Sequence, residues 1–251
     1  MMYDLSEAEQ KLDLVRHALT AEPRIDLLHH PIRLAYDDGV LTLEGELSDV
    51  AAKRIALERA AAVPGVRRII DRLRVTPAQA MTDGEIRDHV RNALLRDSAL
   101  ADCSIRVWIK GAPEVVRAPD GAQGAIDIRV EDGVVTLDGD VPGWGRKRIA
   151  GVLAWWVPGS RDVINGLGVT PPENDSYDEI ADAVRMALEM DPFVDASQIR
   201  IGVANAVVTL TGLVPSDSET EMAEFDAWYV FGVDGVVNRI EVRRGPATGV
   251  R

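Results

Sequence analysis

The sequence predicts an α/β (α+β) chain of three tandem αββαβ units, each a three-stranded mixed sheet with two helices packed on one face. Three observations carry this. One phrase recurs, as Val40-Leu41-Thr42-Leu43-Glu44-Gly45, Val134-Val135-Thr136-Leu137-Asp138-Gly139 and Val207-Val208-Thr209-Leu210-Thr211-Gly212. Counting on from each closing glycine, nine residues reach Arg54, Arg148 and Glu221, twenty reach Gly65, Gly159 and Gly232, and twenty-eight reach Leu73, Leu167 and Ile240. The stretch before each phrase carries helical and then alternating periodicity. Agreement at several offsets in every copy marks one supersecondary unit used three times.

Each unit opens on an amphipathic helix. The first is expected from about Ser6 to Thr20, with Ala8, Leu12, Val15 and Leu19 at helical spacing and Ser6 and Glu9 forming a capping-box pattern. Its counterparts are expected at Asp83–Asp97 and Tyr177–Met190.

A hairpin follows. Ile32, Leu34 and Tyr36 alternate into Asp38-Gly39, and Ile126, Ile128 and Val130 into Asp132-Gly133, the dipeptide suited to a turn with positive φ at both central residues. Asn205-Ala206 replaces it in the third unit, where alanine predicts a different or looser turn.

A second helix is expected at about Ser48–Val63, Gly145–Val157 and Ser218–Val230, terminated by Gly65, Gly159 and Gly232. A third strand closes each unit around Asp71, Asn165 and Asn238, polar residues on the apolar side of the strand that are expected to bond the preceding loop. With Gly39, Gly45, Gly133, Gly139 and Gly212, these glycines and polar residues form the expected set of structural turns and caps.

The boundaries expected are 1–76, 77–172 and 173–244, with a disordered tail over 245–251. The second unit carries an insertion within 104–125, read as turns around one extra strand, Ile105–Ile109.

Composition narrows the function classes. No apolar run approaches the ~20 residues of a membrane-spanning helix. The N-terminus is acidic and lacks the form of a secretory signal, so a cytoplasmic location is expected. Cys103 is the only cysteine, which excludes an internal disulfide.

The net charge of −13 is unevenly placed: residues 173–242 hold 15 acidic and 3 basic residues, whereas 1–76 and 77–172 each hold 13 and 11. A field of that sign disfavours nucleic acid and anionic lipid as partners of the third unit.

The combined pattern of Val-x-Asp-Gly-Val-Val-Thr-Leu-x-Gly, Val-Pro-Gly and Val-x-Asn-x-Leu-x-Val resembles the BON domain (bacterial OsmY and nodulation), most fully in the second unit. The first unit has Asp71 for the asparagine, and the third lacks the turn glycine and the proline. The resemblance implies a non-enzymatic bacterial module, often envelope-associated and stress-induced, proposed to bind phospholipid surfaces. It also implies relatives that act in chaperoning and a cytoplasmic one that binds potassium.

The sharpest candidate site is Trp144, Arg146, Lys147 and Arg148 at the start of a helix, where the dipole, cations and an aromatic ring suit a lipid phosphate or a protein partner. A solvated helix start with Trp144 packed on a neighbouring unit is the alternative. Trp155 and Trp228 share one repeat position and suit either a partner surface or contacts between repeats, with Trp156 expected in the core. Asp217, Glu219, Glu221, Glu224 and Asp226 suit either a cation site, for potassium or a divalent ion, or a solubilising face.

No catalytic residue, metal-ligand pattern or cofactor motif stands out. The chain therefore reads as a binding or scaffolding protein contacting a protein or phospholipid surface, with no nucleic acid and no transmembrane segment. Cation sensing is one alternative. Self-assembly, with the acidic third unit of one chain meeting Arg67, Arg68, Arg72 and Arg74 of another, is a second.

Overall fold

In the computed structural model, residues 7–172 and 175–243 are described. Ser6 of the expected capping box and the expected tail over 245–251 lie outside them. Met1–Ala78 forms one compact unit and Gln79–Arg251, holding the second and third copies, forms another.

The first copy runs α1 (Glu7–Thr20), β1 (Arg33–Asp37), β2 (Val40–Leu47), α2 (Val50–Ala61) and β3 (Arg68–Val75). β1 pairs antiparallel and β3 parallel with β2, giving the mixed sheet β1-β2-β3. Alternation does the sorting. Leu41, Leu43, Leu47 and Leu73 pack beneath Val15 and Leu19 of α1 and Ala52, Ala56 and Ala60 of α2, while Thr42, Glu44, Ile70 and Arg72 face the other way.

The second copy has α3 (Asp83–Arg96), then β4 (Cys103–Ile109) and β5 (Ala112–Arg117), then β6 (Gly124–Glu131), β7 (Val134–Val141), α4 (Trp144–Trp155), β8 (Asp162–Asn165) and β9 (Gly168–Val169). The insertion is a hairpin of two strands instead of the single strand expected. Pro113 and the brief Val115-Val116 pair hid β5, which tolerates a proline because it is an edge strand. β4 adds parallel to β6, so the sheet order is β5-β4-β6-β7-β8, with β9 continuing along β7.

The third copy has α5 (Tyr177–Met190), β10 (Ile199–Ala204), β11 (Val207–Val214), α6 (Asp217–Tyr229) and β12 (Gly235–Val242), in the order β10-β11-β12.

The turn in the third copy differs from expectation. Asn205 and Ala206 take φ of 51° and 59°, the same positive pair as Asp38-Gly39 and Asp132-Gly133, and Ala204 pairs with Val207 across a two-residue turn. The flanking strands impose the geometry, and the alanine carries the strain.

Gly45, Gly139 and Gly212 are neither turns nor caps. They lie inside β2, β7 and β11, where a Cβ at Gly45 would stand 2.7 Å from the Pro31 carbonyl oxygen, and at Gly139 and Gly212 would collide with the Ala125 and Gln198 oxygens. The recurring phrase thus ends on glycine because the neighbouring backbone passes too close for a side chain. Gly65, Gly159 and Gly232 also differ from expectation, since their helices stop earlier, at Ala61, Trp155 and Tyr229, and the glycines sit in the turn toward the next strand.

Candidate functional site

The basic cluster at the start of α4 is turned inward. Arg148 is 0% exposed: its Nε donates to the Phe231 carbonyl at 2.9 Å and its Nη2 to both Asp175 oxygens at 2.6 Å. Both acceptors belong to the third copy. Asp175 and Phe231 thereby fasten the second copy to the third, and a buried guanidinium requires such partners.

Arg146 donates to the Ala99 carbonyl at 2.7 Å, to the Pro142 carbonyl at 3.0 Å and to Asp102 at 3.0 Å, bracing the turn before β4. Lys147 Nζ lies 4.6 Å from the Phe231 ring centre and 5.3 Å from that of Trp144. Burial and the adjacent Arg148 charge hold its ammonium below the ordinary lysine range, with Asp175 opposing them. The structure therefore spends the expected lipid-phosphate cations on an internal clasp.

One aromatic candidate joins the same clasp. Trp155 stacks on Tyr229 with ring centres 6.0 Å apart. Trp228 is not a partly exposed surface residue: it is 2% exposed, with its indole nitrogen buried. Trp156, expected in the core, is half-buried at the end of α4, where it reaches the Asp226 carboxyl.

The acidic candidates do not converge. Asp217 and Glu221 are exposed, buried Glu219 accepts the Asp195 amide at 2.8 Å, and Glu224 accepts Asn238 Nδ2 at 3.1 Å. Asp226 is buried beside Asp191. Burial first, then the Asp191 charge, push its carboxyl up to about 8. Among the described residues no group of three or more His, Cys, Asp or Glu is placed to hold a metal ion.

The polar residue of the third strand finds a helix carbonyl, not a loop. Asn165 Nδ2 donates to Lys147 O at 2.7 Å and Asn238 Nδ2 to Thr220 O at 2.9 Å, while each Oδ1 accepts the amide two residues on. Asp71 cannot donate. Buried Lys53, at the repeat position of Lys147 and Thr220, extends its ammonium instead to Asp71 at 3.0 Å and to the Leu73 carbonyl at 2.9 Å.

The BON domain profile matches residues 13–77, 82–171 and 176–244. The chain belongs to the BON domain family. Two solved structures of the type III secretion protein CdsD of Chlamydia trachomatis are similar to it. One, titled as its C-terminal domain, is 12% identical with a TM-score of 0.25, covering 96% of this chain and 100% of its own. The other is 13% identical with a TM-score of 0.24, covering 93% and 92%. No curated protein matches the chain.

Each BON copy leaves one sheet face open, and the three faces share a feature missed in the sequence. Ile70, Ile164 and Val237, each twenty-five residues after the closing glycine, are 42%, 49% and 38% exposed. Each pairs across the parallel ladder with a threonine of the recurring phrase, Thr42, Thr136 or Thr209. The signal was available as a repeated aliphatic residue beside, and out of phase with, the core positions of the third strand. In the second BON copy this face also carries the ion pairs Arg106–Asp127 and Arg129–Asp138, with the Arg129 guanidinium 4.0 Å from the centre of the Trp108 ring.

Proposed function

We propose that the chain is a non-enzymatic scaffold that grips a protein surface through the open faces of its BON sheets. The supporting observation is the aliphatic residue exposed at one repeat position in all three copies, Ile70, Ile164 and Val237, each on a rigid strand beside a threonine. An exposed apolar residue costs nothing to keep singly, but one that recurs at the same place on the edge strand of each face suits a binding anchor. The expected cation cluster serves the fold, so removing it would test folding more than binding.

A photo-reactive phenylalanine analogue placed at Ile164 in cells, with a second chain carrying it at exposed Asp182 as control, checks this reading. Discrete protein adducts at 164 that are absent at 182 support it. Adducts at neither position, or equally at both, contradict it.

One observation favours a phospholipid surface as a second reading. On the first sheet Arg68 and Arg72 are exposed and flank Ile70 on the same face, pairing cations with an apolar side chain as an anionic bilayer surface requires. Co-sedimentation with phosphatidylglycerol vesicles that is abolished in Arg68→Ser/Arg72→Ser supports it, and undiminished binding in that variant removes it.

A further inference from the structure

We infer that the free edge of β10 is a strand-addition site, which takes an extended, β-branched segment of a protein partner carrying one arginine or lysine. The inference goes beyond the open-face reading and shares with it only that the partner is a protein. The chain itself shows what this edge accepts. In the second copy the equivalent edge, β6, is occupied by β4, with Ile105 opposite Ile126 and Val107 opposite Ile128, and Cys103, Ile105 and Val107 buried in the core. In the third copy β11 is the only strand that pairs with β10 among the described residues.

The edge presents the required groups. The two-residue turn makes Ala204 and Val207 a hydrogen-bonded pair, so alternation turns the backbone of Ile201 and Val203 outward, as it turns Ile128, at the register position of Ile201, toward β4. Outward N–H and C=O groups on an edge are the template for an added strand.

A second feature sets the charge of the occupant. Arg117 at the end of β5 donates to the carbonyls of Leu95, Leu100 and Cys103, plugging the space below the end of α3. Counted from the matching starts of α3 and α5, the third copy has Glu189 where the second has Leu95 and Val194 where it has Leu100. Among the described residues no such plug is present there. A groove of about 500 Å³ remains, lined by Arg185, Glu189, Val194, Asp195, Ser197 and Ile199. Arg185 is paired with Asp182 at 3.0 Å, which leaves Glu189 and Asp195 to favour a cation.

The probe is a synthetic peptide of residues 103–117 with Cys103→Ser, titrated into the full ¹⁵N-labelled chain. Saturable binding with amide exchange slowed at Ile201 and Val203, and an affinity about tenfold weaker for Glu189→Lys or for the Arg117→Ala peptide, supports the site. Glu189 is exposed, so that variant folds as the parent does. Three results overturn the proposal: no saturable binding, an affinity unchanged by either substitution, or perturbations that avoid Ile201 and Val203. A fourth is protection of those amides without peptide in a chain that sediments as a dimer, which assigns the edge to a second copy. Cross-linking at Ile164 is independent of this edge, so the two readings fail separately.

Discussion

Lys53 Nζ lies 3.0 Å from Asp71 Oδ2, and the two residues replace together an arrangement the other copies build from one asparagine and a helix carbonyl. Asp71 lost the donor that Asn165 and Asn238 direct at α4 and α6, and the buried lysine restores a donor from the helix side. Asp71→Asn alone removes the charge opposite the ammonium, leaves it the Leu73 carbonyl, and is expected to cost about 1–2 kcal/mol, since the site stays partly hydrated. Lys53→Ala with Asp71→Asn is expected to cost less than the sum of the single changes, with a coupling of about 1 kcal/mol in urea unfolding followed by circular dichroism.

Arg148 joins two BON copies while fully buried. Arg148→Met leaves Asp175 and the Phe231 carbonyl without their donor and is expected to destabilise the unit over residues 79–251 by about 3 kcal/mol. Asp175→Asn, which keeps one acceptor, is expected to cost less. Thermal unfolding monitored by tryptophan emission reads both, because all five tryptophans lie in the second and third copies.

Much of this architecture was legible in the sequence, because it is written locally. The Asp-Gly turn and the 3.6 and 2 periodicities each act within a few residues, and they yield the order αββαβ. The candidate site was not legible in the same way. Arg148, its repeat mate Arg54 and Glu221 share one position, yet only Arg148 is buried, since Asp175 and Phe231 reach it from the next copy. A cation run reads as surface until its partners are placed. Ala206 misled for the opposite reason, because strand pairing overrode the preference of a single residue.

Ala206 supplies a direct check on that override. At φ of 59° a side chain is strained, so Ala206→Gly is expected to stabilise the chain by about 1 kcal/mol. Gly133→Ala, at φ of 75° with Arg161 packed against it, is expected to destabilise it by at least as much. Chemical denaturation midpoints at constant slope distinguish the two.

Asp226 makes the interface between the second and third copies pH-sensitive. Its carboxyl titrates near 8 when folded and near 3.8 when not, so the folded state holds the extra proton between those values. Stability therefore falls as pH rises from about 4 toward about 8 and levels off above that. Asp226→Asn keeps the shape and removes the titration. Its melting temperature is expected to decline less between pH 5 and pH 8.5, and at pH 8.5 to exceed that of the parent by several degrees.

The second and third BON copies are one body, clasped at Arg148 and Trp155. Hydrogen exchange across a urea series, read by mass spectrometry on peptides covering β7 and β11, tests this most directly. One shared opening midpoint for the two strands is the predicted result. Separate midpoints, with β11 opening while β7 stays protected, would contradict it.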